Sequence, residues 1–170
     1  MDKLMRLGTA CNRVTVFGMQ AIIVAVIVVT TGTMFLQVVT RYVFQISVSG
    51  LDELAGHTAV WLYLMGAAYG AYDRSHIKAS VLHLFVKNKR VLAFFDVLAM
   101  AIAVIVTVFM TVWSCDYLEW SIRKHEITPT LQLPTVIFQT AIFTGAVLML
   151  IYFSIDLVSR LRKALGHENP

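Results

Sequence analysis

The fold class that the sequence predicts is all-α integral membrane: four transmembrane helices plus a short amphipathic interfacial helix between the second and third spans. Three observations carry that expectation. Of 170 residues, 58% are hydrophobic and 14% charged, a balance too apolar for an ordinary soluble domain. The charges bracket apolar runs at about 14–40, 54–72, 91–113 and 135–155, each close to what a ~30 Å hydrocarbon layer requires. The basic residues also fall on alternate sides of those runs. Eleven Lys and Arg lie before the first run, between the second and third, and after the fourth, against three in the other two loops. By the positive-inside rule both termini are then cytoplasmic and loops 41–53 and 114–134 are external. The net charge of +4 is thereby assigned to membrane orientation and anionic headgroups, not to nucleic acid. The whole chain, 1–170, reads as a single membrane domain.

The run 14–40 is about twice the length of a signal-peptide core and lacks a small-residue cleavage site, so a retained helix is expected. At 1.5 Å per residue it reaches roughly 40 Å, and it must tilt or project. Gln20, Thr30, Thr31, Thr33 and Gln37 within it are expected to face protein. In the second run Gly56, Ala59, Gly66 and Gly70 share one helical face, and Gly66 to Gly70 is a GxxxG spacing that permits close approach of another membrane helix. Between 75 and 90, Ile77, Val81, Leu84 and Phe85 oppose His76, Ser80, His83 and Lys87, the pattern of a helix lying in the interface. The third run holds one acid, Asp96, on a stripe with Ala99, Ala103, Thr107 and Ser114. A carboxylate facing lipid is costly, so this stripe is expected to pack on another helix. The polar loop 114–134 closes with Pro129 and Pro134, the latter suited to the first turn of the fourth span.

No nucleophile elbow, phosphate-binding loop or HExxH occurs, and no catalytic, cofactor or metal residue is assigned. Cys11 and Cys115 are expected on opposite sides of the membrane, so they cannot join in a disulfide. His57 and His125 on one side, and His76 and His83 on the other, give poor support to a haem pair. A membrane anchor of a haem or quinone oxidoreductase is nevertheless the alternative function class.

Arg41-Tyr42-Val43-Phe44, then Glu53-Leu54-Ala55, Trp61, Gly66-Ala67-Ala68, Arg74 and His76-Ile77 occur in that order. Thr128-Pro129 follows, with Leu131 and Pro134 before the last span. In these residues the chain resembles the small membrane subunit (Q subunit, small permease) of TRAP (tripartite ATP-independent periplasmic) transporters. It departs from that pattern at Leu51, where an aromatic is usual, and at Ala79-Ser80, where a Val-Asp-like pair is frequent.

The resemblance implies a non-catalytic subunit of the bacterial inner membrane, without cofactor. Its partners would be a large multi-span subunit of elevator type, a periplasmic substrate-binding protein and membrane lipids. The system would import an organic acid anion, such as sialic acid or a C4-dicarboxylate, on the sodium gradient. Gly56, Ala59, Gly66, Gly70, Asp96, Ala99 and Ala103 are the expected packing residues. Arg41, Asp52 and Glu53 are expected at the periplasmic surface, where Arg41 and Glu53 either pair or meet the arriving protein. Arg74, His76, Lys78 and Lys87 are expected at the cytoplasmic interface.

Overall fold

The structure is a computed structural model that describes residues 2–46, 48–73 and 89–164. Among the described residues there are four helices: α1 (Asp2–Tyr42), α2 (Leu51–Asp73), α3 (Lys89–Lys124) and α4 (Val136–Ala164). The expected interfacial helix, with Arg74, His76, Lys78 and Lys87, lies outside the described residues, except that positions 89 and 90 open α3. Among the described residues, three stretches are long and apolar enough to cross a membrane: Asn12–Tyr42, Phe94–Lys124 and Val136–Arg162. α2, interrupted by His57, Thr58, its glycines and its tyrosines, falls short of that composition.

Two helices outrun their expected spans. α1 has 41 residues and α3 has 36, roughly 60 and 54 Å of helix. The reason in α3 is visible in its sequence. Residues 114–124 are polar but hold neither Gly nor Pro, and Glu119 and Arg123 form an i,i+4 ion pair. The segment expected as an external loop, 114–134, is therefore helical as far as Lys124, and only its second half turns back.

The helices lie in a row, α1–α2–α4–α3. α1 packs along α2, α2 also packs along α4, and α4 packs along α3. The covered positions of α1 are Val16, Met19, Ile23, Val26, Thr30, Thr33 and Gln37, spaced alternately three and four apart. α3 repeats that spacing at Met100, Val104, Thr107, Thr111, Ser114, Leu118 and Ser121. A period of 3.5 keeps one narrow seam on one neighbour, as in left-handed helix pairs crossing near 20°. The edge helices thus offer their remaining faces outward, and α1 leaves Phe17, Val28 and Phe35 about two-thirds exposed. α4, by contrast, is covered on two sides and exposes chiefly the stripe Ile137, Thr144, Ile151 and Val158.

Polar rungs tie α1 to α2. The Gln20 amide donates to the Tyr69 hydroxyl at 3.0 Å, Thr30 to the Thr58 hydroxyl at 2.9 Å, and the Gln37 amide to the Asp52 carboxylate. The antiparallel register holds along the length of α2. Thr33 instead returns its hydroxyl to its own helix at Val29 and Thr30, and Thr31 is exposed. Bonds of this kind inside a bilayer average only ~0.6 kcal/mol each, so they set register more than they set stability.

α2 and α4 approach each other closely at Gly145. A Cβ there would stand 2.9 Å from Leu64 Cβ and 3.3 Å from the Leu64 carbonyl oxygen. Near one end of this pair Met19, Met65, Ala68, Ala71 and Met149 close a core shared by α1, α2 and α4. Gly145→Ala should push α2 and α4 apart and lower stability by about 1–3 kcal/mol. Gly66→Ala, whose Cβ meets nothing within 4 Å, should leave the isolated chain unchanged. Thermal unfolding of the two variants in one detergent, followed by circular dichroism, checks the contrast.

Candidate functional site

The best-organised polar feature joins α2 to the turn between α3 and α4. Residues 126–135 form a tight hairpin. Thr128 N–H donates to the Leu133 carbonyl at 2.9 Å, Leu133 N–H to the Thr128 hydroxyl at 3.0 Å, and Thr135 N–H to the Glu126 carbonyl at 3.1 Å. Its base is held to α3 by the Ser121 and Thr135 hydroxyls at 3.1 Å, with Ser121 fully buried. Gln132 takes a left-handed φ of 52° to complete the turn.

Glu53, in the first turn of α2 and outside the 54–72 run, reaches into this hairpin. Its carboxylate accepts from Thr130 N–H at 2.8 Å and from Leu131 N–H at 3.2 Å. The Thr128 hydroxyl above all holds the carboxyl down to about 2 from an ordinary 4.5; desolvation opposes it, and the Thr130 and Leu131 donors together add to the lowering. Thr128 is 1% exposed, so its hydroxyl is confined between Leu133 N–H and this carboxylate. Behind the carboxylate, Gly50 turns with φ +103°. A Cβ there would lie 2.9 Å from Leu131 Cδ2, so only glycine lets the hairpin close on the start of α2. The result is a clasp at one end of the row.

Other expected residues fall differently. Glu53 is engaged by the hairpin and not by Arg41, which is exposed and forms no ion pair with it among the described residues. Backbone amides at close range satisfy the carboxylate without a mobile arginine. Asp52 receives Gln37 of α1. Gly56 is exposed and Ala59, Gly66 and Gly70 are half-buried, and a Cβ at Gly56 or Gly66 would meet nothing within 4 Å. Inside the chain α2 uses Ala55, Met65, Ala68 and Ala71 instead, and Ala68 lies nearly opposite the glycine stripe. The GxxxG spacing therefore does not serve the chain's own packing at Gly66.

On α3, Ala103 is half-buried, Thr107 and Ser114 are buried, and Ala99 is exposed, because Met100 takes the seam at that level. Asp96 is half-buried and faces Arg160 of α4 at 3.8 Å; the same guanidinium binds Asp156 at 2.8 Å. A basic partner for Asp96 is compatible with the sequence, where Asp156 closes the fourth apolar run and Arg160 opens the basic tail four residues on; Gly145 has no such mark. His57 Nδ1 lies 2.6 Å from the Glu53 carbonyl, and its ring sits 4.2 Å from that of Phe138, which places the imidazole in packing. No group of three His, Cys, Asp or Glu suited to a metal occurs among the described residues.

This geometry defines a class: an all-helical membrane subunit, open along its flanks and clasped at one end, whose polar groups join its own helices. The family model for tripartite ATP-independent periplasmic transporters, DctQ component, matches residues 30–163. The chain belongs to that family and is a small membrane component of a TRAP transporter, a system it shares with a large membrane subunit and a substrate-binding protein. Comparison with curated proteins gives no match.

The clasp yields a pH signature. Because the folded carboxyl is held below its unfolded value, its contribution is complete above pH 4.5 and lost as pH falls from there towards 2. Limited proteolysis of the hairpin should accordingly speed up over that interval in the wild type. Glu53→Ala should be cut faster at pH 7 and show no further acceleration from this group. Equal cleavage of the two proteins at pH 7 would contradict the clasp.

Proposed function

We propose that the chain acts as a brace for its transporter. It holds the stationary part of a large elevator-type subunit that imports an organic acid anion, of the sialic acid or C4-dicarboxylate kind, on the sodium gradient. The observation that carries this reading is the glycine stripe of α2. Gly56 and Gly66 have no neighbour within 4 Å of where a Cβ would stand, while the same helix is fixed by α1, α4 and the outer clasp. A rigid helix with an unfilled small-residue groove suits the close approach of a partner's helix.

In this reading α2 is the fourth span. The basic excess sets both termini in the cytoplasm and the clasp on the periplasmic side of the inner membrane. Arg41 and Asp52, exposed beside the clasp, then help receive the substrate-binding protein. Arg74, His76, Lys78 and Lys87 meet headgroups on the other surface. No chemistry is assigned to the chain. Its polar groups complete helix contacts, and the conducting path and its selectivity belong to the large subunit.

Two measurements test the proposal. Gly66→Leu should dissociate the complex from the large subunit on size exclusion in mild detergent while leaving the isolated chain helical; an unchanged elution position would oppose it. Sodium-driven uptake by reconstituted vesicles should fall to background when this chain is omitted. Full uptake by the large subunit and binding protein alone would refute the bracing role.

A further inference from the structure

At the end of the row opposite the clasp, two clefts open on either side of a wall made by Asn12 of α1 and Tyr72 of α2. The larger, about 670 Å³, lies between α1, α2 and α4. Asn12, Asp73 and Asp156 line it at the helix ends, and Leu148 and Ile151 line it one to two turns deeper. The second, about 550 Å³, runs along α1 past Arg13, Val14 and Phe17. Each cleft therefore joins a charged rim to an apolar wall, and the two rims carry opposite charge, Arg13 on one side and Asp73 on the other.

The wall between them is built to meet a small cation and an anion together. Tyr72, exposed and lining both clefts, has ring neighbours in Tyr69 at 6.1 Å and Tyr152 at 5.4 Å, and an aromatic ring at such a rim is a fitting neighbour for a cation. The Asn12 Oδ1 accepts from the Tyr152 hydroxyl at 3.1 Å, which leaves the Asn12 amide N–H groups to donate. Asp73 is exposed and forms no ion pair among the described residues.

A ligand that fills both sides carries an anionic group for Arg13 and Asn12, a primary ammonium a few atoms away for Asp73 and Tyr72, and acyl chains for the apolar walls. We propose that this double cleft binds one aminophospholipid of the phosphatidylethanolamine type from the adjoining leaflet. A choline headgroup cannot donate hydrogen bonds to Asp73. An anionic headgroup without an amine would face that carboxylate with like charge. Bound there, the lipid covers the end of the row where α1, α2 and α4 meet, as the hairpin closes the other end.

Native mass spectrometry tests the site. The full-length chain is reconstituted in nanodiscs of equal parts phosphatidylethanolamine, phosphatidylcholine and phosphatidylglycerol, then released into mild detergent. A single phosphatidylethanolamine adduct should dominate. Asp73→Asn should lower it about tenfold, the size expected for one lost charge-assisted hydrogen bond, and leave the weaker choline adduct unchanged. Arg13→Gln should lower the ethanolamine and choline adducts together, because both lipids carry the phosphate. Asp116→Asn, at the far end of α3, should change neither. Equal adducts for the three lipids, a preference for phosphatidylglycerol, or an ethanolamine adduct untouched by both Asp73→Asn and Arg13→Gln would overturn the proposal.

Discussion

α2 carries polar side chains that lipid cannot satisfy and that must be met within the protein, and much of the helix arrangement follows from that. His57, Thr58, Trp61 and Tyr69 all carry groups that an apolar solvent leaves unsatisfied. Each finds a partner: His57 and Thr58 on carbonyls of their own helix, Thr58 also on Thr30, Trp61 on the Ile137 carbonyl and Tyr69 on Gln20. Tyr69 and Trp61 find theirs on two different helices, which places α1 and α4 around α2. α3 is left to pack on the free side of α4. The Glu53 clasp then fixes the axial position of α2, because sliding the helix by one residue would pull its carboxylate from the Thr130 and Leu131 amides.

Much of this was legible in the chain. Four helices and their approximate limits follow from apolar runs with charged margins. Gln20, Thr30 and Gln37 were expected to face protein because lipid cannot satisfy them, and they form the rungs to α2. What escaped depends on information that apolarity does not carry. Residues 114–124 read as loop because they are polar, yet a helix outside the hydrocarbon needs only compatible residues and a seam, which Ser114, Leu118 and Ser121 supply. Ala99 fell off the seam because packing follows the 3.5 period of paired helices, and a wheel drawn at 3.6 drifts away from it. Gly145 has no partner glycine to mark it, and its role rests on Leu64, far away in the sequence. The clasp was illegible for the same reason: Glu53 and Thr130 are 77 residues apart, and nothing local says they meet.

A row of helices has consequences that a closed bundle lacks. A bundle buries its small and polar residues in one central core and presents a uniform exterior. Here only a few residues, such as Met19, Met65, Ala68, Ala71 and Met149, form a core, and the broad faces of α1 and α3 remain apolar and open. Such a slab has little interior in which to build a transport path, but it has two flanks and a glycine stripe on which larger helices can lie. That shape, more than any single residue, agrees with a subunit that steadies a neighbour.

The row itself is therefore the claim to test first. With Cys11 and Cys115 replaced by serine, spin labels at Val28 of α1 and Phe109 of α3, both exposed and at similar depth, report the separation of the edge helices by pulsed electron paramagnetic resonance. Helix axes 8–10 Å apart put α1 and α3 about 20–30 Å from each other in a row, and about 10–14 Å apart in a closed four-helix bundle. The row is expected to give the longer distance as a single population in the full-length chain. A dominant population at the shorter distance would contradict it.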